Sequence, residues 1–272
     1  MNAREAATET SAALRGAGIE DARLEGEVLV RESAGIDRAA YFNGALLDSG
    51  AVAKLAQWSN RRMQREPLPY ITGHREFYGR EFAVGPGVLV PRPETELLVE
   101  LGLSELDVSP EAVVVEAGTG SGAVAVSLSA ERPGAVIIGT DVSREALAFA
   151  QANAIRLAPA TRLVRCDLLS AVSGADVVLA NLPYIPTWEI EALEPEVSKW
   201  EPRVALDGGD DGFALIRRLI DDCETRLRPR LLALEVGFGQ AESVGSLLSA
   251  LGRESWCVKD LAGIDRIVCA RW

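Results

Sequence analysis

The stretch "VVVEAGTGSGAVAVSL", residues 113–128, joins a run of β-branched residues to three glycines at alternate positions and then to a second apolar run. Successive valines suit a strand buried on both faces. The glycines allow a backbone reversal that side chains would forbid, and the second apolar run is long enough to be a helix. A buried strand that turns at once into a helix commits the chain to crossover units and a parallel sheet. The same alternation continues downstream. Strands are expected at "AVIIGTD", "TRLVRCD", "ADVVLAN" and "RLLALEVG", and helices at "ETELLVELGLSEL", "SREALAFAQANAIRL", "GFALIRRLIDDCETRL" and "QAESVGSLLSAL". Ser143 is placed to cap the second of these helices. The ending, "WCVKDLAGIDRIVCARW", carries no clear period. The expected class is α/β, a Rossmann-like, mostly parallel sheet with helices on both faces.

The N-terminal third reads differently. Residues 1–66 hold helical patterns, among them "DARLEGEVLVRESAG", whose Leu24, Val28 and Leu29 fall on one side and are expected to face a core. Short helices need partners, so a small helical bundle is predicted. Residues 67–92 bring aromatic and β-branched residues around Gly79, then Gly85, Pro86 and Gly87, which reads as a β-hairpin linker. The predicted division is thus 1–66, 67–92 and 93–272.

Composition narrows the chemistry. The chain has 272 residues and a net charge of −12, all of which falls on residues 81–272. An acidic body repels phosphate backbones, so no direct nucleic-acid partner is expected. No apolar run is long enough to span a membrane, and the N-terminus alternates acids with arginines, so no membrane association and a cytoplasmic location are expected. Cys166, Cys223, Cys257 and Cys269 are far apart with no C-x-x-C pair, which reads as buried thiols rather than a metal or disulfide framework. His74 is the one histidine, so a Ser-His-Asp triad or a histidine metal site is disfavoured by count, and no metal is expected.

Gly118, Gly120 and Gly122, with Thr119 and Ser121 between them, open a helix whose first N–H groups are unpaired and carry partial positive charge. Acids then stand at three strand ends: Glu116 before the turn, Asp141 about 20 residues on, and Asp167. An acid at the second strand end accepts hydrogen bonds from ribose hydroxyls. Together they indicate a nucleoside cofactor, with a nicotinamide dinucleotide the residual alternative. The spacing E-x-G-x-G-x-G resembles the nucleoside-binding turn of S-adenosylmethionine (SAM) methyltransferases. That resemblance implies that Glu116 helps hold the methionine part of SAM, that Asp141 holds the ribose, and that Asp167 and Leu168 lie at the adenine.

The strand "ADVVLAN" ends at Asn181, followed by Leu182, Pro183 and Tyr184. Asparagine is a poor strand residue and proline cannot continue a central ladder, so the stretch is placed for chemistry. A planar NH₂ nucleophile has its lone pair delocalised, and it needs orientation and acceptors for its N–H groups. The Asn181 side-chain oxygen can accept one N–H and the Leu182 carbonyl the other. Pro183 stiffens the turn, and Tyr184 can pack on the flat group and exclude water. The motif N-L-P-Y resembles the amino-methyltransferase signature shared by enzymes acting on adenine, cytosine and glutamine nitrogens.

Longer segments separate these. "PLPYITGHREFYGREFAVGPGVLVPRPETELLVE", "EPRVALDGGDDG", "LLALEVGFGQ" and "KDLAGIDRIV" resemble the HemK/PrmC family of protein-(glutamine-N5) methyltransferases, which modify peptide chain release factors. The resemblance runs from Pro67 to near the end, with Glu116 and Leu182 its departures. It implies SAM as cofactor and, as substrate, the glutamine of the Gly-Gly-Gln loop of class I release factors. It further implies a helical domain that grips the release factor and a methyltransferase domain at 93–272. Asn181 to Tyr184 would clamp the glutamine amide, and Pro91 to Glu96 would close the cofactor side. Arg203 is expected to hold its loop by ion pairs, and His74 to be structural. A monomer is expected. Three alternatives stand beside this: N5-glutamine methylation of a ribosomal protein, adenine-N6 methylation of nucleic acid, and a non-catalytic SAM-binding adaptor.

Overall fold

The computed structural model describes all residues, Met1–Trp272. Five helices come first: α1 (Ala3–Gly16), α2 (Ala22–Ala34), α3 (Arg38–Phe42), α4 (Ser49–Met63) and the short α5 (Leu68–Thr72). A hairpin follows, β1 (His74–Phe77) and β2 (Arg80–Ala83). Then come α6 (Glu96–Val108), β3 (Val113–Ala117), α7 (Ala123–Glu131), β4 (Val136–Asp141), α8 (Arg144–Leu157), β5 (Arg162–Arg165) and β6 (Val177–Asn181). The chain ends with α9 (Ala214–Asp222), β7 (Leu231–Glu235), α10 (Ala241–Ala250), β8 (Ser255–Lys259) and β9 (Asp265–Ala270).

Packing divides the chain into two units, Met1–His74 with Glu194–Trp200, and Arg75–Leu193 with Glu201–Trp272. This division departs from a linear split, because the turn Glu194–Trp200 joins the helical unit. The reason is electrostatic. Arg62, only 5% exposed, pairs through two nitrogens with Glu25 (2.5 and 3.1 Å) and through Nη1 with Glu196 (2.7 Å). Arg65 takes the other Glu196 oxygen at 2.7 Å. A buried guanidinium needs such complete pairing.

Within the helical unit, Asn2 and Glu5 form a reciprocal cap at the start of α1. The buried side of α2 differs from the expected one. Leu29 is buried, but Leu24 is 62% exposed, and the face is completed by Ala22, Gly26, Val30 and Ser33. Small residues decide it: a Cβ added at Gly26 would lie 2.4 Å from Ser11 Oγ, so α1 and α2 touch where side chains are least. His74 Nε2 lies 3.3 Å from Glu32 Oε2, on the surface of this unit.

The larger unit is built on a seven-stranded sheet in the order β5-β4-β3-β6-β7-β9-β8. The first five strands are parallel, and the ending without a clear period is the antiparallel hairpin β8–β9. Two apolar cores lie on opposite faces. One holds Leu98, Leu106, Val124 and Leu128 from α6 and α7, with Phe77 and Phe82 of the hairpin edge to face at 5.9 Å. The other holds Ile216, Leu219, Val244 and Leu248 from α9 and α10. The hairpin turn is Tyr78–Gly79, both at positive φ, the conformation that two-residue hairpin loops require. Cys223 and Cys269 are buried thiols, whereas Cys257 is exposed.

Chain order runs outward from β3 to β5 and then returns to β6 beside β3. At that reversal, connections leave the carboxyl edge in opposite directions and open a crevice.

Candidate active site

A cleft of about 1090 Å³, counting its open mouth, lies at this reversal. Its lining includes Glu116, Gly118, Thr119, Gly120, Ser121, Asp141, Asp167, Leu168, Asn181, Leu182 and Pro183. Two residues expected in the site stand behind it. Gly122 caps α7 at φ +81°, with no room for a Cβ against Val126 and Ala150. Tyr184 is packed into the core beside Gly237, and its carbonyl accepts from Gln240 Nε2 at 2.8 Å.

The glycine turn is drawn tight from several sides. Glu116 is 4% exposed, and its Oε2 accepts from Thr119 Oγ1 at 2.5 Å and from the Ala125 N–H at 2.9 Å. Burial pushes its carboxyl up to about 8 against those two bonds. Asp141 accepts the Gly120 N–H at 2.9 Å and the Ser143 N–H at 2.8 Å, which ties the second strand end to the turn. Its carboxyl is also raised, by burial. Ser143 caps α8, accepting from the Ala146 N–H at 3.1 Å. Asn153 on α8 is wholly buried and spans the gap to the hairpin: its Nδ2 donates to the carbonyls of Ser121 (2.9 Å) and Ala83 (3.0 Å), and its Oδ1 accepts the Ala83 N–H at 2.8 Å.

The third strand end is looser. Asp167 is about half exposed and pairs with Arg218 at 2.6 Å. Leu168 adopts φ +45°, unusual for a residue with a Cβ, and its carbonyl accepts from Thr140 Oγ1 at 2.8 Å. Its side chain is buried against the cleft wall with Val142 and Leu215 nearby.

Asn181 ends β6, beside Glu235 at the end of β7 in parallel register. Gly118 packs against the next residue, and a Cβ there would lie 3.2 Å from Leu182 Cδ2. The backbone after Asn181 is held by the segment "DGGDDG". The Ile185 N–H donates to Leu206 O at 3.1 Å, and the Gly208 N–H donates to Ile185 O at 2.8 Å. Side chains at Gly208 and Gly212 would strike the carbonyls of Pro183 and Tyr184, which explains the glycines. Neither of these bonds takes the Leu182 carbonyl. Arg203 pairs with Asp207 at 3.2 Å, within its own loop.

The segment Pro91–Glu96, expected at the cofactor side, brings Arg92 and Thr95 to the cleft, but their partners had no local signal in the sequence. Thr95 is buried, and its hydroxyl accepts from Asn181 Nδ2 at 3.1 Å. Glu201 is buried and holds the strap Pro91–Arg92 over the cleft: it pairs with Arg92 Nη2 at 2.6 Å and accepts the Val90 N–H at 3.2 Å. Glu235 was open to the strand-end rule that found Glu116, Asp141 and Asp167, since it too closes a parallel strand.

Two family models match the chain: the PrmC N-terminal domain over residues 5–73 and the methyltransferase small domain over residues 94–192. Among solved structures, the catalytic domain of hMettl16 in complex with MAT2A 3'UTR hairpin 6 has a TM-score of 0.57 at 15% identity, covering 84% of this chain and 85% of that one. A methyltransferase from Pyrococcus furiosus has a TM-score of 0.53 at 17% identity, covering 82% and 98%. Both show the fold. The release factor glutamine methyltransferase of Bradyrhizobium diazoefficiens is 40% identical, over 98% of this chain and 94% of the relative. That of Moorella thermoacetica is also 40% identical, over 99% and 98%. Identity at this level along the full length of both chains means that this chain belongs to the family of release factor glutamine methyltransferases.

Proposed function

We propose that the chain transfers a methyl group from SAM to the side-chain amide nitrogen of a glutamine in a peptide chain release factor, the glutamine of its Gly-Gly-Gln loop. The observation that carries this reading is a neutral amide, Asn181, at the strand end beside the glycine turn, in a chain whose relatives bear that activity in their names.

The cleft suits SAM. At Gly120 an added Cβ would meet only Val88 at 3.8 Å, so the turn presents open backbone to the cleft. Glu116 offers a buried carboxyl, suited to an ammonium group, and Leu168, Val142 and Leu215 offer apolar walls to a flat ring. Gly118 to Ser121, Glu116, Asp141 and Leu168 would hold the cofactor, with Asp167 at its outer edge. When bound, SAM supplies an electrophilic methyl group on a sulfonium.

The chain's own part is orientation. An amide nitrogen attacks poorly while its lone pair is delocalised. Asn181 Oδ1 accepts one substrate N–H and the Leu182 carbonyl the other, which fixes the plane of the incoming amide. Pro183 at the cleft wall stiffens that turn. Tyr184 acts from behind, as a support for the loop. Residues 1–66 are the segment we assign to gripping the release factor, and 93–272 to methyl transfer.

The test uses methyl-labelled SAM with an unmethylated release factor and with the same factor carrying alanine for the glutamine of its Gly-Gly-Gln loop. Label on the first alone is expected, with loss of at least about 100-fold in Asn181→Ala. Label on both factors, or on neither, overturns the assignment of the glutamine; label on nucleic acid or a ribosomal protein would name the substrate instead.

A further inference from the structure

We propose that Arg92 anchors the carboxylate at the methionine end of SAM, and that Glu201 is the positioning residue that presents its guanidinium. The inference rests on SAM as the cofactor, as given above. The methionine end of SAM is a zwitterion, with an ammonium and a carboxylate on one carbon. The cleft offers Glu116 to the first. For the second it is poorly furnished: Glu116, Asp141 and Asp167 all line it, and a carboxylate entering among acids needs a cation or several N–H donors. Arg92 is the one cationic residue in the lining. The glycine turn has few donors to spare. The Thr119 N–H donates to Thr140 O at 2.8 Å, the Gly120 N–H to Asp141 at 2.9 Å, the Gly122 N–H to Thr119 O at 2.8 Å and the Ala125 N–H to Glu116 at 2.9 Å.

Arg92 is held at the right end of the cleft by its own segment. Thr95 accepts from Asn181 Nδ2 at 3.1 Å, which ties Pro91–Glu96 to the end of β6. β6 lies beside β3, which carries Glu116. A ligand whose ammonium reaches Glu116 and whose methyl group faces Asn181 spans these two strand ends, the stretch of cleft that the strap borders.

Glu201 fixes the guanidinium. Its side chain is 2% exposed, and it accepts from Arg92 Nη2 at 2.6 Å and from the Val90 N–H at 3.2 Å. Arg92 Nη1 donates to Val90 O at 3.1 Å, which closes a ring of hydrogen bonds through Glu201, Arg92 and Val90. A guanidinium has five N–H groups in one plane. Those not engaged by Glu201 and Val90 are enough for the paired contact that arginine makes with a carboxylate. Glu201 offsets the charge of Arg92 but leaves it these donors. Without Glu201, a side chain already 34% exposed is free to turn to solvent.

The test is calorimetric binding of SAM and of decarboxylated SAM to the free protein. The analogue keeps the sulfonium and the ammonium and lacks only the carboxylate. The parent is expected to prefer SAM by about 10–100-fold, the worth of a charge-assisted pair. Arg92→Gln is expected to bring that ratio to within about threefold of one, by weakening SAM and sparing the analogue. Glu201→Gln, with Arg92 intact, is expected to lower the ratio by about threefold or more. A parent ratio near one overturns the inference without any variant. So does Arg92→Gln with the parental ratio, which would put the carboxylate on the first N–H groups of α7. So does Arg92→Gln with both ligands weakened alike, which would leave Arg92 a part of the strap's structure only. Glu201→Gln at the parental ratio overturns the role of Glu201. A parent that binds SAM but labels no release factor overturns the functional reading alone, and one that binds neither ligand overturns both.

Discussion

Replacing Glu116 with glutamine should change how stability depends on pH. The carboxyl lies buried under the glycine turn, and burial raises it from 4.5 to about 8. A group raised on folding stabilises the folded state fully below its unfolded value, and that contribution is lost as pH rises towards the folded value. The window is therefore 4.5 to about 8. At about 1.36 kcal/mol per unit, the cost of carrying this acid is under about 1 kcal/mol at pH 5, roughly 3 at pH 7 and roughly 5 above pH 9. Glutamine keeps an oxygen for the Thr119 hydroxyl and the Ala125 N–H but adds an NH₂ with no acceptor in place, a cost of about 1–3 kcal/mol at every pH. Glu116→Gln should thus be destabilised at pH 5 and level with or more stable than the parent at pH 8. Urea melts of both proteins at pH 5, 6, 7 and 8 measure this as a difference whose slope approaches about 1.4 kcal/mol per pH unit. Two curves that stay parallel across that range would refute the claim that Glu116 is held protonated.

Two further outcomes follow from the same geometry. Binding of SAM should ionise Glu116 if its ammonium group lies there, so calorimetry at pH 7 in buffers of different ionisation enthalpy should show close to one proton released, and none in Glu116→Gln. Asn153→Ala should cost about 3 kcal/mol in thermal or urea melts, because it strips the carbonyls of Ser121 and Ala83 and the Ala83 N–H of their buried partner; the loosened turn should also weaken cofactor binding.

The parallel half of the sheet was legible because each central strand is a short apolar run that ends in a polar residue, a pattern burial on both faces imposes. The same logic found Glu116, Asp141, Asp167 and Asn181. It stopped one strand short at Glu235, since the run "LLALEVG" advertises its apolar residues more than its single acid. Thr95 fell within the segment Pro91–Glu96 expected at the cofactor side, but its bond to Asn181 was beyond reach: the two meet across 86 positions of sequence, and nothing near either residue records the meeting. Leu24 misled because hydropathy weighs large residues, while the contact between α1 and α2 is set by the smallest ones. The attachment of Glu194–Trp200 to the helical unit was hidden likewise, since it depends on Arg62 finding Glu196 across 134 positions.

The order of the strands explains why an amide and not an acid stands at position 181. β3, β6 and β7 are neighbours, so Glu116, Asn181 and Glu235 lie close to the carboxyl ends of three adjacent strands, spaced at about 4.8 Å between strands. Both flanking acids are buried and both are raised, to about 8 and about 7. A third carboxyl between them would meet two others at short range in a medium of low dielectric, and repulsion would raise all three further. It would then be protonated at neutral pH and offer a hydroxyl donor on one edge, where a glutamine amide needs an acceptor. The amide of Asn181 carries no charge for its neighbours to repel and always keeps one oxygen. What it lacks is a fixed orientation, because its two ends are nearly the same size. Thr95 supplies a contact that distinguishes them, since its hydroxyl accepts from Asn181 Nδ2 at 3.1 Å.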